Sequence, residues 1–213
     1  NLFMFKDFCV EYIFVDITGA SGAIHAPRSL QILCTLEYKL HVSISDAAAL
    51  VIKHELGIDV TCNDPNLTQF LGYTTDNVIY YNNLNIGATI ASSRYPIKAM
   101  IVVPCSMNTL CSIAHGIANN LIQRAASITI KEGRKLVVVP RETPLSSIHL
   151  EAMLKLSSMG VCILPAMPGF YHNPKTITDQ VNFIVAKILD VLNIKHTLIP
   201  EWRGEEWIKA EVT

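Results

Sequence analysis

Charged side chains are scarce in this sequence. Only 16% of the 213 residues are Asp, Glu, Lys or Arg, whereas an average soluble domain has about 25%. Half of the residues are hydrophobic. Much of the surface is therefore expected to be hidden from water in a homo-oligomer, with an unusually apolar monomer as the alternative. The formal net charge is −1 and no basic run stands out, so a nucleic-acid partner is not expected.

Long apolar runs and paired cysteines are also missing. No stretch approaches the ~20 apolar residues of a membrane span. The apolar opening, residues 1–10, contains Lys6 and Asp7 and lacks the layout of a signal peptide. The six cysteines are scattered, with no Cys-x-x-Cys pair, and are interpreted as buried, reduced thiols of an intracellular protein. The sequence therefore predicts a cytoplasmic protein without a membrane partner.

Several well-known catalytic motifs are absent. The sequence has neither the Gly-Lys-Ser/Thr of a P-loop nor the Gly-x-Ser-x-Gly of a nucleophile elbow. It has no Asp-Asp-x-x-Asp pair for a magnesium-bound diphosphate, and its seven histidines show no ligand spacing. These absences argue against all of these sites, and no metal is expected.

Apolar strands alternate with helices along the chain, and no change in composition marks a domain boundary. The pattern predicts one domain over residues 1–213, with residues 1–10 and 203–213 as peripheral tails. Buried strands joined by helices indicate an α/β fold, a doubly wound parallel sheet with helices on both faces. The predicted strands are 12–17, 41–45, 78–81, 99–103, 136–139 and 161–164, and the predicted helices are 26–39, 46–56, 86–93, 117–132, 146–159 and 176–192.

Polar side chains follow strand after strand, at the point where each strand ends. They are Ser21 in a glycine-rich turn, Ser45, Ser106 and Thr109 around a helix start, Arg141 with Glu142, and Tyr171. Each alone is also compatible with an ordinary turn or N-cap. Because the carboxyl ends of parallel strands meet at one edge of a sheet, we expect the set to form a phosphate pocket. Arg124 and Lys131 suggest further anionic charge, although both could be solvated helix residues.

Five blocks of this sequence resemble the UbiX/Pad1 flavin prenyltransferases. The blocks are Thr18-Gly19-Ala20-Ser21-Gly22-Ala23, Pro104-Cys105-Ser106 with Thr109, Asn119-Asn120-Leu121-Ile122-Gln123-Arg124-Ala125-Ala126, Val139-Pro140-Arg141-Glu142-Thr143-Pro144 and Pro168-Gly169-Phe170-Tyr171-His172. The resemblance runs in register over residues 13–202. The Arg-Glu-Thr-Pro and Gly-Phe-Tyr-His blocks are specific to it, whereas the glycine-rich turn alone is not.

This resemblance implies a Rossmann-like flavoprotein that assembles as a homododecamer. It implies transfer of a dimethylallyl group from dimethylallyl monophosphate to N5 and C6 of reduced FMN, and the prenylated FMN would serve a UbiD-type decarboxylase in ubiquinone biosynthesis or aromatic acid decarboxylation. The implied FMN site consists of Gly19, Ala20, Ser21, Ser45, Ser106, Met107, Asn108, Thr109, Arg124 and Arg141. The phosphate of the donor would be held by Lys131, Arg141, Tyr171, Lys187 and Arg124, some of them from a neighbouring subunit.

The resemblance also implies the catalytic residues. They are Ser21, Glu142, Glu55 and Lys131, with Glu142, hydrogen-bonded to Ser21, as the proton relay and Glu55 as a second carboxylate. Cations around the leaving phosphate stabilise its charge, so no metal is implied. Lys187 stands where the family usually has an arginine, which keeps the charge but loses the bidentate fork. This difference leaves the choice between a monophosphate and a diphosphate donor open.

Two other functions compete with prenyl transfer. An FMN-dependent peptidyl-cysteine decarboxylase would share the flavin-binding turns, but its Pro-Ala-Ser-Ala-Asn stretch is here Pro104-Cys105-Ser106-Met107-Asn108. That function also leaves Arg141 and Glu142 unexplained. A non-catalytic flavin carrier would not need Lys131, Arg124 and Tyr171 around a second anion.

Overall fold

Six parallel strands form one sheet in the computed structural model, which describes residues 11–60 and 67–200. The strands are β1 (Tyr12–Ile17), β2 (Lys39–Ile44), β3 (Val78–Tyr80), β4 (Ile97–Cys105), β5 (Lys135–Pro140) and β6 (Cys162–Ile163). The helices are α1 (His25–Thr35), α2 (Asp46–Leu56), α3 (Leu67–Leu71), α4 (Met107–Ala114), α5 (Leu121–Lys131), α6 (Ser147–Ser158) and α7 (Ile177–Val191). The strand order is β3-β2-β1-β4-β5-β6, so the predicted doubly wound α/β sheet is confirmed.

Helices cover both faces of the sheet. In β1, Ile13, Val15 and Ile17 pack in the layer with α1, α2, α3 and α7, whereas Phe14 packs in the layer with α4, α5 and α6. These four side chains are essentially inaccessible to solvent. A strand enclosed in this way needs apolar residues at successive positions, which explains the near-continuous apolar runs of the sequence.

The chain reverses its direction across the sheet after β3, and β4 returns to the other side of β1. Such a reversal leaves a crevice outside the carboxyl ends of the two central strands. Thr18 joins these ends, because its hydroxyl donates to the Pro104 carbonyl (3.0 Å) and accepts from the Ser106 N–H (2.7 Å). The turns that follow β1 and β4 are therefore held side by side at this crevice.

Some element bounds differ from the predicted ones. α1 ends at Thr35, short of residue 39, because β2 already begins at Lys39 and Glu37 adopts a left-handed backbone with φ of 63°. The predicted helix 117–132 begins only at Leu121, where the Asn120 side chain caps it.

The irregular part of the chain differs most. The predicted helix 86–93 is reduced to the 3₁₀ turn Thr89–Ala91, and the short helix α3 is not evident from the sequence pattern. The predicted tails, residues 1–10 and 203–213, lie outside the described residues. Within residues 11–60 and 67–200, no helix is long and apolar enough to cross a membrane.

Candidate active site

The turn after β1 folds around the carboxylate of Glu55. Gly22 N–H donates to Oε1 (3.2 Å) and Oε2 (2.9 Å), and Ala23 N–H donates to Oε2 (2.8 Å). The Ser21 hydroxyl is a further hydrogen-bond partner. Gly22 has φ of +94°, a conformation that glycine adopts without strain. The turn binds an anion, but that anion is a side chain of the same chain, so the N–H groups of Gly22 and Ala23 are not available to a phosphate.

Glu55 keeps its charge more readily than an ordinary glutamate. Partial burial opposes ionisation, but the hydrogen bonds from Ser21, Ala23 and Gly22 outweigh it and, with the positive charge of Arg141, lower the pKa of Glu55. The carboxylate is therefore ionised at neutral pH.

Helix α2 contacts the β1–α1 turn near both of its ends. Glu55 holds the turn near the end of α2, and Ala47 touches it near the start, where a Cβ on Gly19 would stand 2.4 Å from the Ala47 Cβ. Ser45 caps α2 by accepting from Ala48 N–H (3.1 Å). The structure therefore brings the predicted residues Gly19, Ala20, Ser21 and Ser45 to one wall of the crevice.

The start of α4 forms the opposite wall and can hold a phosphate. Ser106 accepts from Thr109 N–H (3.2 Å) and its hydroxyl donates to the Thr109 hydroxyl (3.1 Å). Within the described chain, the N–H groups of Met107 and Asn108 have no acceptor. Unpaired N–H groups and hydroxyls at a helix N-terminus suit an anion. The side chain of Asn108 is exposed, whereas that of Met107 is buried.

Arg141 and Glu142 follow β5 on the same edge. Arg141 is half-buried, and its Nε atom is buried without a hydrogen-bond partner in the described structure. Glu142 is exposed and accepts from Thr143 N–H (3.2 Å). The expected hydrogen bond between Ser21 and Glu142 is wrong for this structure, because the Ser21 hydroxyl pairs with Glu55 and Glu142 turns back onto its own turn.

Aromatic rings support Tyr171 after β6. Its ring meets Phe183 edge-on at 5.7 Å and His172 edge-on at 5.8 Å, and His172 stacks on Phe183 at 5.1 Å. A Cβ on Gly169 would lie 2.9 Å from the Tyr171 ring, so this position needs glycine. Tyr171 remains half-exposed, with a ring held in place by its neighbours.

A cavity of about 1090 Å³ lies beside Tyr171. Lys187 lines it, with Nζ 3.0 Å from Asp190 Oδ2 and 5.7 Å from the centre of the Phe183 ring. His196 Nε2 lies 3.0 Å from Asp190 Oδ1. Lys187 therefore stands near Tyr171 as predicted, but it is already paired with a carboxylate.

Arg124 and Lys131 lie elsewhere in the chain. They line a second cavity of about 560 Å³ with the hydroxyl residues Thr89, Ser92, Ser93 and Ser127. Lys131 precedes the start of β5 and Arg141 follows its end, and this six-residue strand spans roughly 20 Å. Within one copy of the chain, the predicted cluster of Lys131, Arg124, Arg141 and Tyr171 is therefore not brought together.

Four polar residues of the structure are not among those predicted from the sequence. Asp190 pairs with Lys187, and His196 pairs with Asp190; of these contacts the sequence shows only the i,i+3 spacing of Lys187 and Asp190 on one helix. Asp16 and Ser43 are fully buried in adjacent strands, with no hydrogen-bond partner in the described structure, and the apolar strand pattern conceals them. Within the described ranges, no group of three His, Cys, Asp or Glu side chains is arranged to hold a metal ion.

A family model and the sequences of known proteins assign this chain to the same family. The model of the Flavoprotein family matches residues 10–197. The flavin prenyltransferase UbiX of Alkalihalophilus pseudofirmus is 48% identical over 88% of this chain and 94% of its own length.

Solved structures agree. The crystal structure of AnUbiX (PadA1) in complex with FMN and dimethylallyl pyrophosphate has a TM-score of 0.80 at 35% identity, covering 91% of this chain and 98% of that one. A dodecameric FMN-dependent UbiX-like decarboxylase from Escherichia coli O157:H7 has a TM-score of 0.81 at 40% identity, covering 91% and 100%. With this degree of likeness along nearly the whole of both chains, the protein belongs to the UbiX family of flavin prenyltransferases.

Proposed function

We propose that this protein transfers a dimethylallyl group from dimethylallyl monophosphate to N5 and C6 of reduced FMN. The observation that carries the proposal is the half-buried Arg141, whose Nε lacks a partner, on the same sheet edge as the anion-binding start of α4. A crevice with two anion sites suits two phosphorylated substrates. The AnUbiX complex, which contains FMN and dimethylallyl pyrophosphate, supports this choice.

The residues at the crevice fit FMN. The first turn of α4 offers the N–H groups of Met107 and Asn108 and the hydroxyls of Ser106 and Thr109 to the FMN phosphate. Across the crevice, the wall of Gly19, Ala20, Ser21 and Ser45 would contact the ring system. When bound, reduced FMN supplies the electron-rich nitrogen and carbon that accept the allyl group.

The cations of the site act on the leaving phosphate. Breaking an allylic C–O bond places negative charge on the phosphate oxygens, and fixed positive charges stabilise that charge. Arg141 can donate through Nε, and Tyr171 and Lys187 line the cavity of about 1090 Å³. No metal is needed in this arrangement.

Two carboxylates have separate tasks in this proposal. The Glu55 carboxylate accepts hydrogen bonds from Gly22 N–H, Ala23 N–H and the Ser21 hydroxyl. It thereby holds the β1–α1 turn and orients Ser21. Glu142 lies beside Arg141 with an exposed carboxylate, and it moves the proton that ring closure at C6 releases. Substitution of Glu142 is therefore predicted to stop proton transfer, whereas substitution of Glu55 is predicted to disturb the β1–α1 turn.

A neighbouring copy would complete the site. Lys131 lies at the other end of β5 from Arg141 and shares a separate cavity with Arg124, so we expect both to reach an FMN or donor phosphate from another copy. The proposal includes a homo-oligomer with twelve subunits, as in the dodecameric Escherichia coli relative. The product would pass to a UbiD-type decarboxylase, and a cytoplasmic location stays a prediction.

An anaerobic reaction tests this function directly. The protein is mixed with reduced FMN and dimethylallyl monophosphate, and the released flavin is weighed by mass spectrometry. A gain of one five-carbon unit is expected. Isopentenyl monophosphate is the matched control, because it has the same mass and charge but no allylic C–O bond, and it should leave the flavin unchanged.

The Glu142→Gln variant refines the test. It should bind FMN and yet form little product, since the amide cannot accept the proton. Full turnover in this variant would remove Glu142 from the mechanism. A wild-type protein that holds FMN but adds nothing to it, with either the monophosphate or the diphosphate, would disprove prenyl transfer.

A further inference from the structure

The wall of the cavity beside Tyr171 carries one acidic residue and two lysines among mostly uncharged side chains. Besides Tyr171 itself, the charged or ionisable residues among the described ones that line this cavity are Lys187, Lys195, His196 and Asp190. Asp190 is the one carboxylate in this set. Two lysines and a phenol favour an anion, so the position of the carboxylate determines how much positive charge an anion meets.

Asp190 is held between two of these groups through different oxygens. Lys187 Nζ lies 3.0 Å from Oδ2, and His196 Nε2 lies 3.0 Å from Oδ1. His196 also accepts from Leu198 N–H through Nδ1 (3.3 Å), which leaves the proton of a neutral imidazole on Nε2 and makes that atom the donor to Asp190. The His196 side chain is only 10% exposed, whereas those of Lys187 and Asp190 are 41% and 49% exposed. A largely buried imidazole thus anchors an exposed ion pair.

This anchoring keeps Asp190 ionised. Partial burial opposes its charge, but the hydrogen bonds from Lys187 and His196 outweigh that effect and lower the pKa of Asp190. The pair of Lys187 and Asp190 is therefore neutral as a unit at neutral pH. Lys187 still presents N–H donors to a phosphate in contact with it, but its longer-range attraction for additional negative charge is cancelled.

We propose that Asp190, oriented by His196, is a specificity-determining residue that makes the cavity accept an allyl monophosphate in preference to a diphosphate. The inference rests on the proposed function, in that the anion is the phosphate of the prenyl donor. A phosphate monoester carries about −1.5 to −2 at pH 7, and a diphosphate carries about one further negative charge. Asp190 repels that extra charge, and no other carboxylate of the described cavity wall does so.

Asp190→Asn removes the charge and keeps the shape. The Asn carbonyl can still accept from His196, while Lys187 becomes an uncompensated cation. We expect the ratio of diphosphate to monophosphate affinity to rise about fivefold, the effect of one charge at the distance of the second phosphate in a partly solvated site. Lys187→Met makes the opposite change, because it leaves Asp190 alone, and should shift the ratio towards the monophosphate.

The experiment is calorimetric titration of FMN-loaded protein with dimethylallyl monophosphate and, separately, with the diphosphate. Asp59→Asn is the matched control, since Asp59 makes an ion pair of 2.7 Å with Lys53 and does not line the cavity. This variant should leave both affinities unchanged. Truncating the anchor by His196→Ala should weaken both donors to a similar extent, because the charge of Asp190 remains.

Several results would overturn the inference. They are a wild-type preference for the diphosphate, binding of neither donor, or a ratio that stays within about twofold of wild type in both Asp190→Asn and Lys187→Met. Using two variants protects the test if one of them fails to assemble. Because binding is measured without turnover, a wild-type protein that binds both donors but prenylates nothing disproves the proposed function and leaves the affinity ratio as an independent result.

Discussion

Backbone and side-chain donors converge on the carboxylate of Glu55, from Gly22, Ala23 and Ser21. Glu55→Gln should lower the free energy of unfolding at pH 7 by about 1 kcal/mol, since charge-assisted hydrogen bonds become neutral ones. The folded pKa of Glu55 is depressed, so its contribution is present above the pKa of the unfolded chain and is lost as the pH falls through the folded value. The two proteins should therefore converge only at pH values below the lowered folded pKa of Glu55.

Denaturant unfolding at pH 7 and at about pH 2.5, well below the ordinary pKa of a glutamate, measures this difference. Glu151→Gln is a suitable control, because Glu151 is an exposed residue of α6 and takes no part in holding the β1–α1 turn. A Glu55→Gln deficit that is equally large at both pH values would show that the carboxylate charge is not what holds the turn.

Asp16 has the opposite character. It lies fully buried opposite Ser43 in the parallel register of β1 and β2, and neither of its oxygens has a partner in the described structure. Burial raises the pKa of Asp16 well above its ordinary value. The folded protein therefore keeps this proton to a higher pH than the unfolded chain does, and stability is lost as the pH rises towards the folded pKa.

Asp16→Asn should remove that loss. The variant should unfold at a higher denaturant concentration than wild type at pH 8, by an amount worth about 1–3 kcal/mol, and the advantage should shrink at pH 5. Asp59→Asn, at an exposed site, should show no such trend. An Asp16→Asn variant that is less stable than wild type at pH 8 would contradict the claim that ionisation of the buried Asp16 destabilises the folded protein.

Neither residue could have been chosen from the sequence. Glu55 is one helical glutamate among others until folding brings the end of α2 to the β1–α1 turn. Asp16 lies in an apolar run, and a single polar residue there still leaves a pattern that predicts a strand. By contrast, Ser45 and Ser106 were predictable, because a hydroxyl directly before a helix is a local signal and both residues cap their helices.

At the scale of elements, α2 and the β1–α1 turn form one wall whose spacing depends on Gly19. Its added Cβ would stand 2.4 Å from the Ala47 Cβ, which is closer than two carbon atoms can approach. Gly19→Ala should therefore push α2 away from the turn, at a cost of about 1–3 kcal/mol. FMN affinity should fall with it, because the wall and the start of α4 face the same crevice.

FMN titration followed by flavin fluorescence, together with thermal unfolding, measures both effects. Ser157→Ala is the control, because Ser157 is an exposed residue of α6 that lines neither cavity. A Gly19→Ala protein with unchanged FMN affinity would show that the wall does not contact the flavin.

The order of elements was readable from the sequence, and the ends of some were not. Buried apolar runs such as β1 and β5 predict the parallel sheet. The reversal of strand order between β1 and β4 is typical of doubly wound sheets. The segment over residues 86–93 was predicted as a helix, but most of it runs irregularly along α5, where Arg134 binds the carbonyls of Ser93 and Tyr95. Such long-range anchoring leaves no local periodicity to detect.

At the scale of the whole molecule, one copy of the chain has its cations divided between two ends of the sheet. Arg141 lies at the carboxyl edge, whereas Lys131 lies at the amino edge in a separate cavity with Arg124. Large apolar side chains are also exposed, among them Leu50, Leu84 and Leu154, each more than two-thirds accessible. Packing of several copies of the chain would cover the exposed apolar side chains and bring the cations of different copies together. It would also account for the low fraction of charged residues.

Complementation between two inactive variants tests this assembly. Lys131→Met and Arg141→Met should each abolish prenyl transfer when expressed alone. If each site takes Arg141 from one copy and Lys131 from another, co-expression in equal amounts leaves about a quarter of the sites with both wild-type residues, so about a quarter of the wild-type activity should return. Mixing the two variants after separate assembly is the control and should restore nothing, because intact oligomers do not exchange their interfaces.

Pairing both substitutions on one chain sharpens the result. Co-expression of the Lys131→Met, Arg141→Met double variant with wild type again leaves about a quarter of the sites intact if the residues come from different copies, but about half if they come from the same copy. The ratio of activity to FMN bound separates these values. An activity near one half, with no recovery from the two single variants, would place Lys131 and Arg141 in one chain's site and contradict the distance that β5 imposes between them.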